Sequence, residues 1–423
     1  MRLSTVGFYY DFTRLFAALH GSQTRSGRKI CVTNYAAYTS AFFFESPKHM
    51  RRVFLPVAAR LNRSEVSTPS PTNTEWIGEY LEASGVSRHH AVDIAMKYLR
   101  YFMTEFERTK PDAVVVSGDT RLQARAASEA CRLLGIRHVY FEQGPFRTTT
   151  LDAQGVNCTA SFAKNFSNTR DFEGSSRTFL EVTSKTRERF QENKVARILD
   201  YALEPIFLAL GWSEVREEKS FWWQASKVLK KPFRTLLPSQ PPPPCQPSTQ
   251  KAILVIGQVP SDANFLLHSR YPSHLELMQE VEQFSGQYPI TFREHPLFAG
   301  SYGKAFYDFI DSHKRISLSH ESNLETEIQN VDLVVVVNST VGMEVVLQHK
   351  KPVLCLGDAS YSHLNGVYSR DQIRTFLNAK AEVTATQHDQ NCAWFLSGFL
   401  EGHFRDKDLS RLVSNIGENL DAL

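Results

Sequence analysis

The chain has no apolar run approaching the ~20 residues that span a bilayer. Its first 25 residues also lack the uninterrupted apolar core of a secretory signal, because Asp11 and Arg14 break it. Neither sign of charge is in large excess: 48 basic and 45 acidic side chains leave a formal net charge of +3. That balance argues against a protein wrapped in nucleic acid and gives no general pull towards anionic lipid. Cysteine is sparse, and Cys31, Cys131, Cys158, Cys245, Cys355 and Cys392 are widely spaced with no CxxC pair. They fit neither a zinc site nor a disulfide framework, so a reducing compartment, the cytoplasm, is expected. There is no GxGxxG, P-loop, GxSxG or HExxH, and no internal repeat. The only DxD, Asp406-Lys407-Asp408, lies outside any strand-end context and reads as a surface helix start, not a metal site.

What is present suits a large soluble protein. The chain has 423 residues, 42% hydrophobic and 12% aromatic, which is enough for two cores and long for one. The segment "LPSQPPPPCQPST" (237–249) cannot form a helix or an interior strand, because proline removes amide donors and fixes φ. It predicts a linker between an N-terminal domain (1–236) and a C-terminal domain (250–423). In the first half "KICVTN" (29–34), "AVVVSG" (113–118) and "HVYFEQG" (138–144) read as strands, with helices over 89–108 and 120–135, the latter closed by Gly135. In the second half "AILVIG" (252–257), "PITFRE" (289–294), "LVVVVN" (333–338) and "PVLCLG" (352–357) read as strands, and a helix starting near Ser339 runs through "VGMEVVLQHK". Strands alternating with helices predict an α/β fold with largely parallel sheets. Two Rossmann-like domains facing a cleft describe the GT-B architecture, although other two-domain α/β folds share the description.

In open α/β sheets ligands sit beyond the carboxyl ends of the strands, so the polar residues there are the candidates. Ser339 and Thr340 begin a helix and offer hydroxyls beside unpaired N–H groups, a ready phosphate site; an ordinary N-cap explains Ser339 as well. Glu344, one turn on, reaches a ribose hydroxyl or is simply solvated. Arg293 and His295 share a face if the strand at 289–294 alternates, and Pro296 ends it; His can donate to a departing phosphate and Arg can pair with a carboxylate. Asp262 follows a third strand, on a short turn framed by Gly257 and Pro260, where capping the next helix is the plain alternative. Three strands of one half thus deliver Asp262, His295 and Ser339/Thr340 to one sheet edge. In the other half "YFEQGPFRTTTLDAQGVN" (140–157) reads as a strand continued by a long polar loop. Glu142, Gly144, Arg147 and Asp152, with Asp119 of "SGDTR", are the candidates there for a polar acceptor. "KSFWWQASKVLKKPFR" (219–234) sets Trp222 and Trp223 beside Lys227, Lys230 and Lys231, a pattern that suits peripheral contact with the inner membrane or packing between domains.

The QxxxD element (Gln258 to Asp262), the His-Pro of "REHP", "NSTVGMEVVLQHKKPVLCLGDASY" and "EQGPFRTTTLDAQGVN" together resemble the bacterial capsule-type β-Kdo glycosyltransferases. The resemblance is closest to the Kdo transferase modules of lipopolysaccharide O-antigen synthesis (glycosyltransferase family 99), and it covers much of residues 113–366. Nothing in the first 110 residues or in 216–235 matches. The resemblance implies a GT-B enzyme that takes Kdo from CMP-β-Kdo without a metal or other cofactor and retains the anomeric configuration. Its C-terminal domain would hold the donor, through Gln258, Arg293, His295, Pro296, Ser339, Thr340, Gly342 and Glu344. Its N-terminal domain would hold an oligosaccharide or lipid-linked glycan acceptor, with Glu142 orienting or deprotonating the hydroxyl. Retention through two inversions needs a carboxylate nucleophile, and Asp262 is that candidate. Such modules also occur within larger polypeptides. Two other readings stay open: a sialyltransferase-like CMP-sugar enzyme and a non-catalytic glycan-binding protein on the same fold.

Overall fold

A computed structural model describes residues 2–7, 10–25, 33–36, 51–62, 75–77, 87–164, 172–184, 251–379 and 383–422, with isolated positions 199, 203 and 206. The proline-rich 237–249 and the tryptophan-lysine segment 219–234 lie outside the described residues. The chain divides into two compact units, Met1–Val156 with Lys185–Ser239 and Phe399–Leu423, and Asn157–Ser184 with Gln240–Gly398.

The first unit carries a seven-stranded sheet in the order β13-β6-β5-β4-β1-β2-β3. The strands are β1 (Leu3–Gly7), β2 (Thr33–Ala36), β3 (Arg51–Phe54), β4 (Ala113–Ser117), β5 (Arg137–Gln143), β6 (Thr148–Asp152) and β13 (Leu400–Glu401). β3, β2, β1, β4 and β5 are parallel, in the order that reverses direction at β1 and β4. β6 runs antiparallel to β5, pairing Glu142 with Thr150, and β13 antiparallel to β6. This corrects the expected long loop after β5: "TTTLD" is a strand. Its three threonines are β-branched and almost wholly buried, so shape outweighs their polarity. The helices expected at 89–108 and 120–135 form at Arg88–Thr109 and Leu122–Leu134, and Gly135 closes the second at φ 66°.

Residues 399–423, read above with the C-terminal half, belong to the first unit. The C-terminal helix Ser410–Ala422 presents Leu412, Val413, Ile416 and Leu420 to a core shared with Phe12, Leu15, Phe16 and Leu19 of the N-terminal helix Tyr10–Arg25. Their spacing of three and four residues on each helix makes one apolar stripe. Burying such a stripe is worth more than any local preference of a terminus.

The second unit carries β7 (Ile253–Ile256), β8 (Ile290–Arg293), β9 (Ile316–Leu318), β10 (Leu333–Val336), β11 (Val353–Cys355) and β12 (Val367–Tyr368) in the order β12-β11-β10-β7-β8-β9. All six pair in parallel. Counted from β7 this is the doubly wound order 3-2-1-4-5-6, whose switch point lies between β7 and β10. β7 and β10 are apolar at every position and buried on both faces, as central parallel strands must be.

Candidate active site

At the switch point of the second unit the chain leaves β7 through Gly257, Gln258 and Val259. A Cβ at Gly257 would stand 2.7 Å from both the Phe292 ring and the Tyr302 hydroxyl and 2.9 Å from the Arg293 carbonyl, so only glycine fits. Gln258 is buried. Its Nε2 donates to Asn338 Oδ1 at 2.9 Å, and its Oε1 accepts the Asn338 amide at 3.2 Å. Asn338 Nδ2 in turn donates to the carbonyls of Asn264 at 2.7 Å and His268 at 3.1 Å. A two-sided amide bridge therefore locks the ends of β7 and β10 to the short helix Ala263–His268, and each buried polar group has its partner.

Asp262 caps that helix, its Oδ1 accepting the Asn264 amide at 2.9 Å. The cap fixes the carboxylate relative to the strand end. Surrounding protein raises its pKa by desolvation, while the amides of Asn264 and Phe265 and the nearby His295 pull it down. The side chain is nonetheless exposed to solvent, so water tempers the desolvation.

His295 follows β8. Its Nδ1 accepts the Leu297 amide at 3.2 Å, which places the proton of the neutral ring on Nε2. Its charged form is near enough to lower the pKa of both Asp262 and His274. The loop behind it is tied by Glu294, whose Oε1 accepts from the Gly300 amide and the Tyr307 hydroxyl, both at 2.6 Å. Pro296 and Leu297 are exposed. His274 is buried, stacks on Phe265 at 4.5 Å and accepts the Gln258 amide on Nε2 at 3.1 Å. Burial, with a smaller push from His295, drops its pKa to about 3, so it is a neutral acceptor.

After β10, Ser339 caps the helix Thr340–Glu344 by accepting the Val341 amide at 3.3 Å. Thr340 is exposed and Glu344 half-buried. The helix continues as a π-turn over Val345–His349 and ends at Lys350 with φ 54°. Gly342 has a packing duty: a Cβ there would lie 2.9 Å from the ring of Tyr361, whose hydroxyl donates to the Ser339 carbonyl. Arg293 turns into the fold instead. It ion-pairs with Glu327 at 2.5 Å and donates to the carbonyls of Glu321 at 2.8 Å and Ser322 at 3.2 Å. With the pair largely shielded from solvent, the guanidinium is committed to Glu327, and its fit to a substrate carboxylate is poor.

In the first unit Asp119 follows β4, Glu142 and Gly144 lie at the end of β5, Arg147 precedes β6, and Asp152 ends β6 opposite Tyr140. Glu142 holds the Gln143 amide at 2.9 Å on Oε1, and its other oxygen lies against Gly118. Asp119 accepts the Val156 amide at 3.1 Å. Asp152 Oδ1 accepts the amides of Gln154 at 2.7 Å and Gly155 at 3.3 Å. The turn after Gly144 holds two consecutive left-handed residues, Phe146 at φ 54° and Arg147 at φ 59°, each costing about 1–3 kcal/mol. Thr148 Oγ1 donates to the Pro145 carbonyl at 2.6 Å, the Gly144 amide to the Thr148 carbonyl at 2.8 Å, and Arg147 pairs with Asp406. Asp406 is thus the anchor of this turn and not a surface helix start; Asp408 does cap the C-terminal helix by accepting the Ser410 amide at 2.9 Å.

Asn338, His274 and Tyr302 were not among the sequence candidates. Asn338 offered a signal, as a polar residue closing a run of buried valines.

Two doubly wound α/β units, with polar side chains at the strand ends of the second, define the fold class but not the ligand. The family model for capsule polysaccharide biosynthesis proteins matches residues 112–393, and the chain belongs to that family. No curated protein matches it. Among solved structures it is similar to the beta Kdo 2,7 transferase of Thermosulfurimonas dismutans KpsC, 15% identical over 93% of this chain and 90% of that one, with a TM-score of 0.41. It is similar to the beta Kdo 2,4 transferase of the same KpsC, 16% identical over 67% and 79%, TM-score 0.42. It is also similar to UDP-GlcNAc 2-epimerase from Neisseria meningitidis, 13% identical over all of both chains, TM-score 0.33. Likenesses this distant say nothing about chemistry. Among the described residues no helix is long and apolar enough to cross a membrane.

Proposed function

We propose that this chain is a retaining β-Kdo glycosyltransferase that uses CMP-β-Kdo to extend or cap a bacterial surface glycan, of the capsule or O-antigen. The observation that carries the reading is that Asp262 and His295 follow the neighbouring strands β7 and β8 at one sheet edge, close enough for the charge of His295 to lower the pKa of Asp262, on turns joined by Tyr302 and by the buried Gln258–Asn338 bridge. Membership of the capsule family and the QxxxD, His-Pro and Ser-Thr-x-Gly-x-Glu elements support it.

In the first step an Asp262 carboxylate oxygen attacks the anomeric carbon of Kdo, and the bond from that carbon to the CMP phosphate oxygen breaks. CMP leaves with the bonding pair. His295 Nε2–H hydrogen-bonds the departing phosphate, and Ser339 and Thr340 offer hydroxyls to it, with Glu344 reading the ribose. In the second step the acceptor hydroxyl attacks the same carbon, the bond to Asp262 breaks, and the hydroxyl proton passes to a base, for which Glu142 is the candidate. Two inversions leave the configuration retained. A monophosphate leaving group carries less charge than a diphosphate, so hydrogen-bond donors can replace a divalent ion.

The test is Asp262→Asn, which keeps the cap acceptor but removes the nucleophile. The variant is expected to fold, bind CMP with wild-type affinity and transfer no Kdo. Wild-type enzyme given CMP-Kdo without acceptor is expected to carry a Kdo adduct on the peptide containing Asp262. Substantial turnover by the variant, or an adduct on another peptide, refutes the assignment; turnover of CMP-sialic acid in place of CMP-Kdo moves the donor to the sialyltransferase-like reading.

A further inference from the structure

Tyr302 stands forty residues from Asp262 in sequence, and no motif points to it. Its hydroxyl accepts the amide of His295 at 2.9 Å and donates to the carbonyl of Gln258 at 3.1 Å. One oxygen thus joins the second residue beyond β8, which carries the imidazole, to the turn that leads from β7 to Asp262. We propose that Tyr302 is a positioning residue, whose hydroxyl sets the distance between the His295 and Asp262 turns.

The hydroxyl is held where it must be. The Tyr302 ring lies edge-on to Phe292 at 5.3 Å, to Phe298 at 5.1 Å and to His274 at 4.8 Å, and tilts against Phe306 at 5.2 Å. Packed on four sides, the ring has little freedom to swing its oxygen away. The absence of a side chain at Gly257 is what lets the oxygen approach both backbone groups. The ends of parallel β7 and β8 share no further ladder bond beyond the Gly257 amide, which reaches the Arg293 carbonyl at 2.8 Å. Tyr302 supplies the next rung through a side chain. The Gln258–Asn338 bridge then carries the constraint to β10 and to the helix that Asp262 caps. A nucleophile and a donor to the leaving group act on opposite sides of one breaking bond, so an error of about 1 Å in their separation is expected to cost on the order of 10²-fold in rate.

This inference rests on the reading of Asp262 and His295 as the reacting pair, and Tyr302→Phe tests it with two kinds of readout. The ring packing survives and only the oxygen is lost. With CMP-Kdo as donor, kcat should fall roughly tenfold or more while the donor KM stays within about threefold, and the kcat pH profile should shift. Ile310→Val, a core change in the same unit, serves as the control for lost stability and should leave kcat at the wild-type value. Independently of turnover, the imidazole Cε1–H resonance of His295 should move and titrate with a different midpoint in Tyr302→Phe, and stay unchanged in Ile310→Val. Wild-type kcat and an unmoved His295 resonance in Tyr302→Phe overturn the proposal, as does an equal loss of kcat in Ile310→Val. If wild-type enzyme turns over no CMP-Kdo, the donor reading fails, and the His295 resonance alone decides the positioning role.

Discussion

Replacing Asn338 by alanine tests the frame under the site. The side chain is 7% exposed and makes three hydrogen bonds, one accepted from Gln258 and two donated to the carbonyls of Asn264 and His268. At a net ~1 kcal/mol each these are worth about 3 kcal/mol. Truncation also leaves the Gln258 amide, itself 8% exposed, without its acceptor, a further penalty of ~1–3 kcal/mol unless water enters the space. A loss of about 3–6 kcal/mol is therefore expected, the lower end applying if water fills the space. Asn338→Asp keeps the acceptor but turns the donating atom into a second oxygen facing two carbonyls. It should cost at least as much at neutral pH, where the buried carboxylate is charged, and less as the pH falls and the group takes up a proton. Urea unfolding followed by far-ultraviolet circular dichroism measures the first effect, with the midpoint shifted and the slope unchanged. Hydrogen exchange should speed up in peptides covering 258–268 and stay unchanged in those covering β4 and β5 of the other unit. A cost under about 1 kcal/mol, with exchange unchanged at 258–268, refutes the claim that this bridge holds Asp262.

His295→Ala is expected to cut turnover by about 10²–10⁴-fold while the melting temperature moves little, because the backbone amide of residue 295 keeps its bond to Tyr302; full activity in the variant refutes the role. Stability should fall as the pH drops below 6.5. Burial lowers the pKa of His274 to about 3 and that of His403 to about 4 from the ordinary 6.5, so between these values the unfolded chain binds more protons than the folded one. Each contribution is fully present above pH 6.5 and is lost as the pH falls towards the folded value, at up to ~1.4 kcal/mol per pH unit. Urea midpoints from pH 7 to pH 4 should show the slope, and His274→Phe should flatten it; an unchanged slope in that variant refutes the assignment.

The four central strands of the second sheet were legible because they are short runs rich in buried apolar residues and ended by glycine, proline or asparagine; the edge strands β9 and β12, three and two residues long, carry too short a pattern to be read. The expected spans overshoot at the ends for one reason: residues such as Gly257 and Asn338 are apolar-adjacent and buried but already turn. β1 and the N-terminal helix were not read as structure at all. "LSTVG" has two hydroxyl residues, Ser4 and Thr5, that are buried all the same, and the helix stripe Phe12, Leu15, Phe16 and Leu19 needs the distant C-terminal helix before it makes sense. "TTTLD" was lost for a similar reason, since its strand partner is set by a turn with two left-handed residues that no glycine announces.

The candidate site divides along the same line. Chemistry could be read from residue type, and geometry could not. Gln258 and Asp262 stand four apart in one motif, yet their duties differ. Gln258 faces inward, where its amide can both give and accept; a buried amide of that kind can satisfy a partner amide on both sides, which a carboxylate cannot. Asp262 faces outward, where a charge survives and a cap fixes it. The intervening turn is short because a longer one would free the carboxylate from the frame. Arg293 shows the reverse case: the right charge at a strand end, taken up by Glu327 because a guanidinium largely withdrawn from water needs a carboxylate partner. A residue at the end of a strand is thus a candidate by position, and whether it meets a ligand or the fold depends on which unpaired group lies within reach. For Arg293 that group is Glu327; for Gln258 it is Asn338. Asp262 and His295 each give one atom to a local backbone amide, and those same short bonds fix how the rest of each side chain is presented.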